Sequence, residues 1–513
     1  MMAPPPPGET TITFDLPNEQ AMRDFAVDLA NALDPGDVVS LSGDLGAGKT
    51  TLARAVIRHL AGDPALDVPS PTFTLLQTYE LSRFSLAHAD FYRLKGPEEL
   101  AEIGFEDLPF GTVVLLEWPD RAPDVLPSNR FDVEIRLDPN RGLDYRSVRL
   151  TGFNGFAPRV ERLPKARDFL AEAGFGDAVR QRLAGDASTR SYERLTLGDR
   201  AVMFMNTPRR PDGPPVRYGR PYSAIAHLAE DVRPFVAMAN GLRERGFSAP
   251  ALYAVDIENG FVVLEDLGDC GVVEGDPPAP IAERYRAVVD LLIALHSLSL
   301  PGELPLATSA RPYRLPTYDA DALMIEIELL LDWYLPRLAA PPTVTARNAF
   351  LSFWRHAIEP VLAAPKTWVL RDVHSPNLLW LPEREGIKRV GLLDFQDAML
   401  GPAAYDLASL LQDARVDVPE ALEIELFGRY VKARREADPR FDVANFAQLY
   451  ATLAAQRASK ILGIFARLDQ RDRKPQYLRH MPRVATYLQR ALAHPALAPL
   501  KAWCNAYVPP PPG

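Results

Sequence analysis

At 513 residues and a net charge of −10, the chain is too long for one hydrophobic core and too acidic for its whole surface to embrace a phosphate backbone. Its 47% hydrophobic and 24% charged residues are those of an ordinary globular protein, and a domain size of about 150 residues gives about two to four domains. The 2 cysteines, Cys270 and Cys504, match neither a disulfide framework nor a zinc site and are expected as reduced, mostly buried thiols.

The proline-rich ends, 1–9 and 506–513, are expected to be disordered tails. The opening "MMAPPPPGETT" has no basic n-region and no apolar h-region, so no signal peptide is expected. "AVVDLLIALHSLSL" is broken by Asp290 and His296 and is too short to span a bilayer. A cytoplasmic protein with no membrane partner is therefore expected.

From residue 10 to 155, strand and helix patterns alternate. "TITFDL" reads as a strand and "NEQAMRDFAVDLANAL" as a helix capped by Asn18. "DVVSLSG", "TVVLLEW", "FDVEIRL" and "YRSVRLTGF" continue the strands, predicting one α/β domain. Residues 156–165 read as a linker. Residues 166–268 are strand-rich ("RSYERLTLG", "RAVMFMN", "ALYAVDIENGFVVLEDL"), interrupted by one long helical stretch, "YSAIAHLAEDVRPFVAMANGLRERG". Residues 269–505 are mainly helical with a short β insert. A small β-rich lobe before a large helical lobe predicts an α+β, bilobal, kinase-like fold behind the α/β domain.

"GDLGAGKT" follows a strand and opens a helix, as a P-loop does. Gly43, Gly46 and Gly48 let backbone N–H groups turn toward phosphates, with Thr51 in the first helical turn. Lys49 would reach the β and γ phosphates of ATP, and the Thr50 hydroxyl would ligate Mg2+. The flanking segments "VPSPTFTLLQTYE", "HADFYRL" and "LLEWPDRAPDVLP" complete a pattern that resembles the TsaE-type ATPase of bacterial tRNA threonylcarbamoyladenosine synthesis. The resemblance covers about 10–155. It implies a switch segment at Thr72, a magnesium-associated Asp90, and functional roles for Glu117 and Trp118; His88 is expected to pack or to support a neighbouring site residue and not to act directly. It also implies an accessory ATPase that drives TsaB- and TsaD-type partners and meets tRNA only indirectly.

A second phosphate device lies at "VLRDVHSPNLLWL". Asp372 and Asn377 have the spacing of a kinase D-x-x-x-x-N catalytic loop, and Asp394 ends the next strand where a metal-binding Asp belongs. Asp372 would orient or accept the proton of an acceptor hydroxyl. Asn377 and Asp394 would hold Mg2+ against the ATP phosphates. "GPAAYDLASLL" resembles the aminoglycoside-phosphotransferase superfamily, and there Asp406 would brace the catalytic loop; His296 is expected to be structural. No activation loop of a protein kinase is present.

"GDASTRSYERL", "LRDVHSPNLLWL", "GLLDFQDAMLGPAAYDLASLLQDAR" and "AAQRASKILGIFARL", in that order, resemble AmgK-type anomeric kinases. The resemblance covers about 165–500. It implies MgATP-dependent phosphorylation of N-acetylmuramate or N-acetylglucosamine to the α-1-phosphate, in cell-wall recycling. "RAVMFMN" departs from the kinase pattern, because no lysine stands where one usually grips the α and β phosphates. Arg190 and Arg194 are candidate substitutes, Ser188 and Thr189 could cover the phosphates, and the backbone from Glu265 to Leu267 would meet adenine. Gln396, Asp397, Arg457 and Lys460 are candidate sugar contacts, with Arg467 further along the same basic helix. Two alternatives stay open: an aminoglycoside, choline or other amino-alcohol acceptor, and a pseudokinase scaffold that regulates the ATPase.

Overall fold

The computed structural model describes residues 8–94, 99–183, 190–210, 213–306 and 311–509. The chain forms two compact units, Met1–Pro208 with Tyr253–Leu264, and Arg209–Leu252 with Glu265–Gly513.

The first unit opens with β1 (Glu9–Leu16) and α1 (Glu19–Ala32). The Asn18 side chain caps α1 by accepting from Ala21 N–H at 2.9 Å. β2 (Val38–Ser42) leads into α2 (Lys49–Ala61). β3 (Leu76–Glu80), β4 (Ser85–Asp90), β5 (Val113–Glu117), β6 (Phe131–Leu137) and β7 (Arg146–Phe153) follow. They form one seven-stranded sheet in the order β1-β7-β6-β2-β5-β4-β3. β6, β2, β5 and β4 run parallel, so their C-terminal ends share one edge.

Residues 156–165, expected as a linker, run into α3 (Ala157–Glu172). This helix serves two cores. Val160 and Leu163 pack in the core of the seven-stranded sheet. Ala166, Phe169 and Leu170 pack against Leu195, Val202, Phe204, Phe261 and Val263 of a second sheet. That sheet has five strands in the order β11-β12-β10-β9-β8. They are β8 (Val179–Arg182), β9 (Ser191–Leu197), β10 (Arg200–Asn206), β11 (Leu252–Asp256) and β12 (Phe261–Glu265). Ions reinforce the junction. Asp28 of α1, 4% exposed, pairs with Arg167 and Arg180. Arg180 also binds Glu193 at 2.7 Å, and Asn31 donates to Glu193 at 2.9 Å.

The second unit is helical. The long helix expected at 222–246 is two: α4 (Tyr222–Ile225) and α5 (Arg233–Glu244). His227, at φ 54°, breaks the path, and Pro234 fits only the first turn of a new helix. The main helices are α6 (Ala282–His296), α7 (Ala320–Leu329), α8 (Val344–Ala363), α9 (Ala404–Leu411), α10 (Glu420–Ala437), α11 (Val443–Gln470) and α12 (Met481–Ala491). α11 crosses α7 closely at Gly463, where a Cβ would lie 2.4 Å from the Leu329 backbone. The β insert consists of two-stranded ladders, β13 (Thr367–Val369) with β16 (Met399–Gly401), and β14 (Leu378–Trp380) with β15 (Val390–Leu392).

Of the cysteines, Cys504 is buried as expected but Cys270 is exposed, because it sits in the loop after β12 and not in a helix face. Most of the proline-rich tails lies outside the described residues. Among the described residues no helix is long and apolar enough to cross a membrane.

Candidate active sites

The P-loop joins β2 to α2. Gly43, Gly46 and Gly48 have φ of 135°, 79° and 111°, where side chains are disfavoured. Gly43 is further constrained, since a Cβ there would meet the Ile135 carbonyl oxygen at 2.3 Å. Lys49 opens α2 and donates to the carbonyls of Gly43 and Asp44 at 2.8 and 2.9 Å. Its ammonium lies 3.8 Å above the Trp118 ring. Burial lowers the Lys49 pKa, opposed by Glu117, Asp90 and Asp44.

Strand register brings the carboxylates to the loop. Asp90 ends β4 opposite Glu117, which ends β5 opposite Leu41 of β2. Thr50 Oγ1 donates to Glu117 Oε2 at 2.9 Å, and His88 Nε2 lies 2.9 Å from Glu117 Oε1. Thr72 Oγ1 donates to Asp90 Oδ2 at 2.8 Å. Thr51 is exposed on α2. Lys49, Thr50, Asp90 and Glu117 therefore share one sheet edge, and the oxygen donors are of the hard type that suits magnesium.

In the second unit, β13 runs into the loop holding Asp372. Asp406, at the start of α9 and fully buried, accepts from Leu370 N–H at 2.7 Å and Arg371 N–H at 2.9 Å. This anchors a loop in which Arg371 has φ 73°; Asp394 has φ 57°. Such left-handed positions cost about 1–3 kcal/mol each outside glycine and persist where surrounding bonds enforce them. His296 is buried behind the loop, bonded to the Tyr430 hydroxyl at 2.9 Å.

Asn377 Nδ2 donates to the Asp372 carbonyl at 3.0 Å and lies 3.4 Å from Asp394 Oδ2. This commits the amide nitrogen to the loop and leaves Oδ1 as an acceptor. Gln396 Nε2 donates to Asp394 Oδ1 at 3.0 Å, while its own Oε1 is buried with no partner among the described residues. Asn377 and Asp394 thus present oxygen donors that fit magnesium. Among the described residues no group of three or more His, Cys, Asp or Glu could hold a metal. Two protein ligands completed by phosphate and water oxygens is the arrangement that magnesium favours at nucleotide sites.

Asp372 sits in a field of positive charge. Burial alone would raise its pKa, but Lys460, His374, Arg371 and Arg457 outweigh that and hold it below the usual carboxylate range. Beneath the loop lies Glu326 of α7, 0% exposed. It binds Lys460 Nζ at 2.9 Å, Gln456 Nε2 at 2.8 Å, and Arg371 and the Tyr318 hydroxyl closely. Burial would raise the Glu326 pKa, yet Lys460 and Arg371 bring it down to about 2.

The other expected residues are placed as follows. Asp397 accepts from Ala229 N–H at 2.7 Å, tying the loop between α4 and α5 to the loop after β15. Glu265 is committed to Ala251 N–H at 3.0 Å and to Arg384 and Arg243. Leu267 packs with Leu379 and Leu381. Arg190 precedes β9, and Arg194 stands opposite Met203. Arg467 lies over the Tyr222 ring at 5.2 Å. Ser188 and Thr189 lie outside the described residues.

Glu326 and Asp413 escaped the sequence reading. Asp413 is fully buried and accepts from Ser375 N–H at 2.7 Å, fixing the middle of the catalytic loop. The signal for Glu326 was present in "LMIEIELLL", where an acid interrupts an apolar run.

Comparison with known proteins places both halves. The family model described as threonylcarbamoyl adenosine biosynthesis protein TsaE matches residues 16–144. The model of the phosphotransferase enzyme family matches residues 179–441. The chain belongs to the phosphotransferase enzyme family, with a TsaE domain fused in front. It is similar to an N-acetylmuramate/N-acetylglucosamine kinase of Caulobacter vibrioides, 41% identical over 68% of this chain and 97% of that protein. A protein of the same description from Pseudomonas aeruginosa is 34% identical over 65% of this chain and 90% of that one. The front part is similar to the tRNA threonylcarbamoyladenosine biosynthesis protein TsaE of Rickettsia felis, 44% identical over 25% of this chain and 75% of that protein. The protein is a phosphotransferase joined to an ATPase, and both families imply use of ATP.

Proposed function

We propose that the protein is a bifunctional cytoplasmic enzyme. Residues 166–268 and 269–505 would act as an anomeric kinase making N-acetylmuramate or N-acetylglucosamine α-1-phosphate in cell-wall recycling. Residues 10–155 would act as a TsaE-like ATPase supporting tRNA threonylcarbamoyladenosine modification through TsaB- and TsaD-type partners. The observation that carries the kinase reading is the gathering of Asp372, Asn377 and Asp394 on one braced loop system. The likeness to amino-sugar kinases supports this acceptor over an aminoglycoside or choline, and supports an enzyme over a scaffold.

In this reading Asp372 takes the proton of the anomeric hydroxyl as that oxygen bonds to the γ-phosphorus of ATP and the bond from that phosphorus to the bridging oxygen breaks, releasing ADP. An anomeric hydroxyl is more acidic than an ordinary alcohol, so a single ionised carboxylate suffices. Asn377 Oδ1 and Asp394 would hold Mg2+, which supplies charge neutralisation of the phosphates. Backbone groups from Glu265 to Leu267 would meet adenine, and the loop with Ser188, Thr189 and Arg190 would cover the phosphates. In the ATPase, Gly43, Gly46, Gly48, Lys49 and Thr51 would cradle a second ATP. Thr50 and Asp90 would associate with its Mg2+, and Glu117 would orient the attacking water.

Phosphorus NMR of the purified protein with MgATP and either sugar, beside a Lys49→Ala variant, tests the proposal. A sugar 1-phosphate signal that persists in the variant is expected. Absence of any sugar phosphate from either acceptor overturns the kinase assignment.

A further inference from the structure

The basic stretch of α11 offers Arg457 and Lys460 to an acidic acceptor, and the two residues have different fates. Lys460 is already spent. Its ammonium lies 2.9 Å from Glu326, which also takes Arg371 and the Gln456 amide. Gln456 and Lys460 are four apart and so share the α11 face that looks onto α7.

Arg457 is in the opposite condition. It is only 6% exposed, yet its guanidinium has no hydrogen-bond or ion-pair partner among the described residues. Its nitrogens are not sealed from solvent, whereas Arg371 Nε and Arg467 Nε are sealed and unpartnered. The N–H groups of Arg457 therefore open onto space that solvent can enter, while its stem is buried. Lys460, three residues further along α11, reaches Glu326, which also binds Arg371 next to Asp372, so Arg457 stands on the stretch of helix beneath the catalytic loop, and its charge acts on Asp372. A largely buried cation with no directly bonded counter-ion is costly unless a ligand supplies one. Arginine's planar fork suits a carboxylate, which it binds through two parallel hydrogen bonds.

We infer that Arg457 is the specificity-determining residue that reads a carboxylate on the acceptor sugar, the lactyl group of N-acetylmuramate, and that Lys460 does not contact it. The inference rests on the amino-sugar kinase reading above. N-acetylglucosamine is the built-in control, being the same ring without the lactyl ether. The rival role for an open guanidinium here is a grip on the transferred phosphoryl group, which is common to both acceptors.

The test measures kcat/KM for the two sugars in the full-length wild type, Arg457→Gln, Arg457→Lys and Lys460→Met, with thermal melting of each as a folding control. A hydrogen-bonded charge pair is worth a factor of about 10 to 100. Arg457→Gln should lose that factor on N-acetylmuramate, mainly in KM, and change less than about threefold on N-acetylglucosamine. Arg457→Lys should recover part of the N-acetylmuramate loss. Lys460→Met should leave the ratio between the two sugars unchanged. Equal losses on both sugars in Arg457→Gln, or a ratio that collapses in Lys460→Met, would overturn the inference while leaving the kinase reading intact. Failure of the wild type to phosphorylate either sugar would overturn the kinase reading, and the inference with it.

Discussion

Asp372 illustrates how a single carboxylate is prepared. Lys460, Arg371 and Arg457 help to keep it ionised in a buried loop, and Asp406 fixes the backbone on which it sits. Asp372→Asn keeps the shape and, in the proposed mechanism, removes the acceptor for the proton. The expected loss in sugar phosphorylation is about a hundredfold to ten-thousandfold, with ATP hydrolysis by the P-loop domain unaffected. Glu326 makes a different prediction. Removing its charge strands Arg371 and Lys460 in the interior, so Glu326→Gln should lose about 3–5 kcal/mol of unfolding free energy in denaturant melts. The sign with pH follows from its value of about 2 against an ordinary 4.5. Its contribution is complete above pH 4.5 and fades as pH falls toward 2. The gap between wild type and variant should therefore be constant from pH 7 to 5 and narrow only in acid.

Elements carry the next constraints. α11 and α7 approach so closely at Gly463 that any side chain meets the Leu329 backbone. Gly463→Ala should cost at least about 1–3 kcal/mol, despite alanine's better helix propensity, and thermal melting would read it. Because α7 carries Glu326 and α11 carries Gln456, Arg457 and Lys460, the same variant should lower kinase turnover. In the ATPase, Gly43→Ala combines a forbidden φ with a collision on Ile135. Loss of nucleotide binding at the P-loop, measured with a fluorescent ATP analogue while sugar phosphorylation continues, is the expected outcome.

At the scale of the molecule, the ATPase sheet and the five-stranded sheet are joined by α3 and by the Asp28–Arg180–Glu193 ions. Asp28 is buried, so Asp28→Asn leaves Arg180 and Arg167 with one acid fewer in a dry junction. In calorimetry the two sheets should melt together in the wild type. Asp28→Asn should shift that transition down by several degrees, since about 1 kcal/mol moves a unit of this size by roughly 2–4 °C. Separate transitions for the two sheets in the wild type would contradict the shared-core description.

Much of this was readable from sequence because the chemistry is local. The P-loop glycines, Lys49 and Thr50 are neighbours in the chain, and so are Asp372 and Asn377; backbone spacing alone dictates what such groups can reach. Strand alternation and Asn18 placed β1, α1 and β2 for the same reason. What depended on distant parts of the chain was not readable. The break between α4 and α5 sits at a left-handed His227, which helical periodicity does not register. The residues read as a linker entered α3 because their apolar positions are divided between two cores far apart in sequence. The fates of Arg457 and Lys460 show the limit most clearly. They are three residues apart on one basic helix, equivalent by composition and propensity. Only the packing of α7 against α11 put Glu326 beside Lys460 and left the guanidinium of Arg457 open, because charge pairing is settled by distance in space and not by separation along the chain.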